Sequence, residues 1–220
     1  MATPGAVMAD FASLRARMVE RQLRPHGISD ERVLAAMGEV PREEFVPRRQ
    51  RHRAYADSAL PIAAEQTISQ PWIVAAICQA LELTGSERVL EVGTGSGYSA
   101  CVLSLLAAQV VSIERHPELA LGARETLASL AVTNVDLRIG DGSVGVPERA
   151  PFEAIAVHAT APEPPPTLIS QLAAGGRLVV PITVDEETEL LTVLRRRGER
   201  IESRPISTCR FVPLVGEEGY

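Results

Sequence analysis

The pattern of apolar and polar positions predicts a sheet of buried strands in the second half of the chain. Short runs rich in valine, leucine and isoleucine are typical of strands that are covered on both faces. These runs are RVLEV, VVSIE, NVDLRI, EAIAV and RLVVPI. Apolar residues at helical spacing predict a helix from Val102 to Leu106 and another around Leu168 to Leu172. We therefore expect an α/β fold with a doubly wound, mostly parallel sheet.

The end of the chain predicts an antiparallel strand pair that closes this sheet. The segments TELLTVLRRR and IESRPISTCRFVPL flank the polar sequence GER, which is the arrangement of two strands joined by a turn. Gly175 and Gly176 predict another turn, before the RLVVPI strand.

The first part of the chain predicts a helical extension to the sheet. Apolar residues near helical spacing indicate a first helix from Phe11 to Leu23, which Gly27 is placed to end. We expect the small, unpatterned residues at the start to be disordered. We expect residues 1–82 to form a helical extension with a ligand-binding loop, and residues 83–220 to form the core of the same compact domain.

The segment QTISQP predicts the start of a further helix. Pro71 fits the first helical turn, and Thr67 and Gln70 have the spacing of a capping box, with Ser69 as an alternative cap. The residues before it then form an exposed loop. A helix N-terminus also attracts carboxylates because its N–H donors are unpaired, and Ser69 can donate one more hydrogen bond. A structural cap and a carboxylate site both fit this segment.

A glycine-rich turn follows the first strand and predicts a nucleotide-type pocket. Gly93, Gly95 and Gly97 allow positive φ angles and let a ligand approach the backbone closely. Glu91 lies just before this turn. The dinucleotide pattern GxGxxG needs a third glycine where this chain has Tyr98. A turn that binds nothing is the alternative interpretation.

Two more acidic residues follow later strands. Glu114 ends the VVSIE strand, about twenty residues after the glycines, where an acid can bind both ribose hydroxyls. A solvated acid at the start of a loop is the alternative. Asp141 follows the third strand. Acids at three successive strand ends favour one shared pocket.

The composition excludes several classes of protein. The net charge of −6 and the isoelectric point near 5.3 argue against a nucleic-acid partner. We find no apolar run of the roughly 20 residues that cross a bilayer, and no secretory signal pattern. The cysteines are widely spaced and odd in number, so reduced thiols are expected rather than disulfides or a metal site. A cytoplasmic protein fits these features.

The sequence resembles the protein-L-isoaspartate O-methyltransferase family, a group of class I S-adenosylmethionine-dependent methyltransferases. EVGTGSG is similar to the first motif of the class. GISDERVLAAM, VPREEFVP, YADSALPI, QTISQP, APFEAI and RFVPLVG extend the resemblance over roughly residues 20 to 216. It implies a Rossmann-like fold, S-adenosylmethionine as cofactor and methylation of the free carboxylate of L-isoaspartyl residues in damaged proteins and peptides. The methyl ester would then form a succinimide, whose hydrolysis returns some normal aspartate.

The resemblance also implies roles for individual residues. Ser69 takes the catalytic position beside the substrate carboxylate, with backbone contacts from Val212 and Leu214. The cofactor-binding set is Gln66, Thr67, Ile68, Ser69, Glu91, Gly93, Thr94, Gly95, Ser96, Gly97, Glu114, Arg115, Asp141 and Gly142. No metal is implied, and we expect a monomer.

The chain departs from the family pattern at a few positions. The loop sequence Ala63-Ala64-Glu65 stands where glycine and aromatic residues are common, and Trp72 replaces a frequent tyrosine. His158 stands where small or hydroxylated residues are usual; it is either a general base or a structural residue. The functional alternatives are a methyltransferase for one dedicated peptide or small molecule, a cofactor-binding protein without turnover, and a nicotinamide oxidoreductase.

Overall fold

The main feature of the computed structural model, which describes residues 10–220, is a seven-stranded sheet. The predicted disorder of the first nine residues lies outside the described residues. The strands are β1 (Leu60–Pro61), β2 (Thr67–Ile68), β3 (Arg88–Val92), β4 (Gln109–Glu114), β5 (Val135–Ile139), β6 (Phe152–Val157), β7 (Leu172–Thr183), β8 (Glu189–Arg197) and β9 (Arg200–Cys209). The order in the large sheet is β5-β4-β3-β6-β7-β8-β9. The first five of these pair in parallel, and β8 and β9 are added antiparallel, which confirms the predicted fold class.

Helices flank this sheet and precede it. They are α1 (Phe11–Met18), α2 (Glu31–Glu39), α3 (Pro71–Leu81), α4 (Tyr98–Leu106), α5 (Pro117–Ser129) and α6 (Pro166–Ser170). A π-helical turn and a 3₁₀ turn continue α1 as far as His26, and Gly27 then adopts a φ of 90°, as the predicted helix end requires. Within residues 10–220, no helix is both long enough and apolar enough to span a bilayer.

The central strands are apolar because both faces of the sheet are covered. Val89 and Val110 belong to an apolar cluster on one face, and Leu90 and Val111 belong to the cluster on the other. Strands buried on both faces have continuous apolar runs instead of alternating ones. Met18 of α1 lies in the same cluster as Val89, so the N-terminal helices and the sheet share one core.

Three elements differ from the sequence-based expectations. Helix α5 lies between β4 and β5, where no helix is predicted. Gly175 and Gly176 lie inside β7, not in a turn before it; the pairing of β6 with β7 shifts there, and Gly175 has a φ of 79°. Leu172 starts β7 instead of belonging to α6.

The three cysteines are free thiols, as the sequence predicts. Cys78 and Cys101 are buried and Cys209 is half-buried. Burial raises the pKa of both Cys101 and Cys209 to about 11, so these thiols are protonated at neutral pH.

Candidate active site

A cavity of about 300 Å³ opens where β3 and β4 end, which is the edge at which doubly wound sheets bind ligands. Most of the predicted site residues line it: Gln66, Thr67, Ile68, Ser69, Gly93, Thr94, Gly95, Ser96, Glu114, Arg115, Gly142, Val212 and Leu214. Glu91, Gly97 and Asp141 are not part of the lining. The structure thus brings segments far apart in sequence around one cavity.

The glycine turn forms one wall of the cavity. Gly93, Gly95 and Gly97 have φ angles of 91°, 55° and 89°. A Cβ atom on Gly97 would lie 3.1 Å from the Cβ atom of Ala123, so this glycine permits close packing of the turn against α5. A Cβ atom on Gly95 would meet only Ile62, at 3.7 Å. Gly95 therefore leaves open a part of the wall that a ligand can approach.

Glu91 lies behind this wall. Its carboxylate is fully buried; Oε2 accepts a hydrogen bond of 2.5 Å from the Ser112 hydroxyl, and Oε1 has no hydrogen-bond partner among the described residues. The next residue, Val92, does line the cavity. Successive side chains of a strand point to opposite faces, so Glu91 faces away from the side that Val92 faces. A cofactor contact of Glu91 stays a prediction.

His158 at the end of β6 lines the cavity and contacts the same buried acid. Its Nε2 atom lies 2.8 Å from the Ser99 hydroxyl and 3.4 Å from Oε1 of Glu91. The side chain is only 7% exposed. Because protein groups already surround Nε2, these contacts favour a structural residue over a general base.

Glu114 connects the end of β4 to the glycine turn. Its Oε2 atom accepts a hydrogen bond of 2.8 Å from the Gly95 amide, and its Oε1 atom accepts one of 2.9 Å from the His116 amide. The carboxylate is buried but lines the cavity. Each carboxylate oxygen can accept more than one hydrogen bond, so both keep capacity for ligand hydroxyls.

Asp141 binds the protein's own backbone instead of lining the cavity. Its Oδ1 atom accepts hydrogen bonds from the Ser143 amide and hydroxyl, and Oδ2 accepts one of 2.8 Å from the Glu217 amide. Burial alone would raise the pKa of Asp141, but these hydrogen bonds and the nearby Arg115 charge together lower it below its usual value. The adjacent Gly142 does line the cavity, so a cofactor contact of Asp141 stays a prediction.

The segment before Ser69 has a different secondary structure from the one that the sequence predicts. The predicted exposed loop contains a small hairpin, in which β2 pairs with β1. Its turn places Ala64 and Glu65 at φ angles of 52° and 57°, a region that glycine adopts more easily. The family pattern with glycine in this loop fits that geometry.

The predicted capping box is wrong. Thr67 belongs to β2, and α3 begins at Pro71 with Gln70 as its N-cap and no side-chain capping bond. Ser69 therefore caps no helix. Its carbonyl oxygen instead accepts a hydrogen bond of 2.6 Å from the buried Arg42 side chain.

The C-terminal segment forms another part of the cavity wall. Thr160, after β6, donates its amide to the Val212 carbonyl at 2.8 Å and accepts from the Leu214 amide at 2.7 Å. This pairing fixes Val212 and Leu214 beside the glycine turn. The predicted site set did not include the remaining lining residues: Glu65, Val74, Val92, Tyr98, Ser99, Ile113, His116, His158, Ala159, Pro213 and Val215. The sequence singled out His158 as a departure from the family pattern, and several of the others directly adjoin predicted residues.

Comparison with known proteins shows the same family throughout. The profile of the protein-L-isoaspartate(D-aspartate) O-methyltransferases matches residues 14–219. A protein-L-isoaspartate O-methyltransferase of Koribacter versatilis is 51% identical over 213 residues, covering 97% of this chain and 96% of the relative. The corresponding protein of Methanoculleus marisnigri is 50% identical, with 94% and 93% covered.

Solved structures agree with the sequence comparison. One protein-L-isoaspartate O-methyltransferase superposes with a TM-score of 0.83 at 31% identity, covering 93% of this chain and 67% of the other. A Plasmodium falciparum protein solved in complex with S-adenosyl-L-homocysteine shares the fold, with a TM-score of 0.78 at 24% identity and coverage of 91% and 98%. The chain therefore belongs to the protein-L-isoaspartate(D-aspartate) O-methyltransferase family.

Proposed function

We propose that this protein methylates the free carboxylate of L-isoaspartyl residues in damaged proteins and peptides, with S-adenosylmethionine as methyl donor. Membership of the family over nearly the whole chain supports this activity. The observation that carries the proposal is the shared cavity, which the glycine turn and the Ser69 segment line together. Methyl transfer requires the methyl donor and the acceptor carboxylate to lie side by side, and a shared cavity allows this.

The residues of the cavity fit the cofactor. The open side of Gly95 leaves room for a ligand against the backbone, and Glu114 offers carboxylate oxygens to a pair of hydroxyls. When bound, S-adenosylmethionine supplies a methyl group activated by a positively charged sulfur. We assign the lining residues of the predicted set to its binding. Glu91 and Asp141 stay proposed cofactor contacts. Glu91 also connects to Thr94 of the turn through the Ser112 hydroxyl, and Asp141 also holds Ser143, next to Gly142.

Ser69 is the proposed catalytic residue on the acceptor side. Carboxyl groups titrate near pH 4, so the acceptor is ionised at neutral pH and needs no general base. Ser69 then has to orient the carboxylate and replace part of its hydration shell. We assign contacts with the substrate polypeptide to Val212 and Leu214, which line the same cavity. Alignment is therefore the main contribution of these residues to the rate.

The methyl ester formed in this way starts repair, because it cyclises to a succinimide with loss of methanol, and hydrolysis of the succinimide returns some normal aspartate. We further propose that the protein acts as a monomer, since residues of a single chain line the cavity. Three free thiols suit a reducing cytoplasm. The acidic net charge supports protein substrates over nucleic acids.

The test uses two peptides that differ only in one L-isoaspartyl or L-aspartyl residue. With labelled S-adenosylmethionine, we expect methyl transfer to the isoaspartyl peptide alone. The Ser69→Ala variant should transfer methyl at least about tenfold more slowly at saturating S-adenosylmethionine, as expected for the loss of one hydrogen bond to a charged group. Equal rates on both peptides, or binding without any transfer, would refute the assignment.

A further inference from the structure

Arg42 is a buried cation that the mechanism above does not use. It lies in the 3₁₀ turn Arg42–Phe45, within the VPREEF segment, and its side chain has no exposed surface. Arginine is rarely buried to this degree unless it is paired with an acid. Among the ion pairs of residues 10–220, none involves Arg42.

The guanidinium group contacts two groups of the cavity wall. Its Nη2 atom donates a hydrogen bond of 2.6 Å to the Ser69 carbonyl, and its Cζ atom lies 4.7 Å from the ring centre of Tyr98. Ser69 and Tyr98 both line the cavity. On the other side, Nε donates a hydrogen bond of 2.7 Å to the Ala54 carbonyl. Arg42 thus lies directly behind the wall that carries the proposed acceptor site.

The positive charge of Arg42 is only partly compensated inside the protein. Its Nη1 atom is buried and has no hydrogen-bond partner among the described residues. Burial lowers the pKa of Arg42, yet a guanidinium group stays protonated at neutral pH. A buried charge without a counter-ion costs free energy, and an anion nearby reduces that cost.

We propose that Arg42 is a positioning residue for the acceptor: it fixes the Ser69 segment through the carbonyl bond and supplies the positive charge that favours the substrate carboxylate there. This inference rests on the proposed function. The isoaspartyl carboxylate then joins Asp57, the acid that acts on Arg42 from a longer distance, in compensating the charge of Arg42. The charge lies one peptide group behind the cavity surface, so it attracts the carboxylate without contacting it.

The experiment compares Arg42→Met with Arg42→Lys. Methionine has a side chain of similar length but has no charge and cannot donate hydrogen bonds to the carbonyl groups. Lysine keeps the charge. Arg32→Met is the control for the loss of two carbonyl hydrogen bonds, because Arg32 donates to the carbonyls of Leu83 and Leu106, and neither of these residues lines the cavity. For each protein, calorimetry measures the binding of S-adenosylhomocysteine and then the binding of the isoaspartyl peptide to the saturated protein; kcat and KM are measured in parallel.

For Arg42→Met we expect peptide Kd and KM to rise at least about tenfold, which corresponds to about 1.4 kcal/mol of binding free energy. Affinity for S-adenosylhomocysteine should stay within about twofold of the wild type. Arg42→Lys should recover most of the peptide affinity, and Arg32→Met should keep all of it. Equal impairment of the lysine and methionine variants, or an equal loss of S-adenosylhomocysteine and peptide affinity, would overturn the proposal.

If Arg42→Met does not fold, Arg42→Gln takes its place, because glutamine is also uncharged and keeps an amide donor. A weakened peptide Kd with unchanged S-adenosylhomocysteine affinity then supports the proposal, and an unchanged peptide Kd overturns it. Failure of the proposed function looks different, because the wild-type protein itself would neither bind nor methylate the isoaspartyl peptide. If the wild type is active and the Arg42→Met variant has an unchanged peptide Kd, only the role of Arg42 is refuted, and the proposed function stands.

Discussion

Alanine at Gly95 should weaken cofactor binding in addition to the fold, whereas a glycine outside the cavity should affect the fold alone. Gly95 has a φ of 55°, and an added Cβ atom would meet only Ile62, at the ordinary contact distance of 3.7 Å. An L-residue in this conformation costs about 1–2 kcal/mol. The new methyl group also takes up space in the cavity that Gly95 lines, and overpacking of this kind typically costs about 1–3 kcal/mol.

Gly198 provides a matched control. It has a φ of 61° and no atom within 4 Å of an added Cβ atom, and it lies in the turn between β8 and β9. Gly198→Ala therefore carries the same backbone strain without the obstruction. We expect both variants to lose about 1–2 kcal/mol of unfolding free energy, but only Gly95→Ala to bind S-adenosylhomocysteine roughly 5- to 150-fold more weakly.

Two measurements separate these effects. Urea unfolding followed by the fluorescence of Trp72, the single tryptophan, gives the stability of each variant. Titration calorimetry gives the affinity for S-adenosylhomocysteine. Equal affinities in the two variants would show that the ligand does not approach Gly95, and the reasoning about the glycine turn would be refuted.

Further predictions concern the acids, the thiols and the hairpin turn. Glu114→Gln should weaken binding of S-adenosylhomocysteine by about 1.5–3 kcal/mol, because hydrogen bonds to a charged group are lost; an unchanged calorimetric Kd contradicts this. Asp141 has a lowered pKa, so its stabilisation is present above its ordinary pKa of 3.8 and is lost as the pH falls through the lowered value. Asp141→Asn should therefore lower the unfolding free energy by about 1–2 kcal/mol at pH 7 and by much less near pH 2, as measured by urea unfolding; a pH-independent difference argues against the carboxylate. Cys101 should react with iodoacetamide at neutral pH only after unfolding, since burial raises its pKa to about 11; rapid labelling of the native protein, detected by mass spectrometry, contradicts this. Ala64→Gly should raise the unfolding free energy by up to about 1 kcal/mol because it relieves a φ of 52°, and a lower thermal midpoint would count against the observed turn.

The sheet could be predicted because its signal is local. Continuous apolar runs mark β3, β4 and β6, and the glycine turn after β3 identifies the edge where the cavity opens. Helix α5 was missed because much of its buried face is alanine, at Ala120 and Ala123, which gives a weak apolar pattern. Its only strong signals are Leu119 and Leu127.

Orientation and long-range contacts within the site could not be predicted. The sequence places Glu91 before the glycine turn but does not say which face of β3 its side chain takes. The Asp141 carboxylate binds an amide 76 residues away, at Glu217, and Arg42 reaches the Ser69 carbonyl across 27 residues. Such pairings depend on the folded arrangement of several elements, and the spacing of residues along the sequence does not indicate them.

The most direct test of the account is a crystal structure of the protein with S-adenosylhomocysteine and an isoaspartyl peptide. We predict the sulfur over the glycine turn beside Gly95, and the isoaspartyl carboxylate at a hydrogen-bond distance of about 2.7 Å from the Ser69 hydroxyl, facing that sulfur. A complex in which the peptide lies elsewhere, with Ser69 far from its carboxylate, would contradict the account.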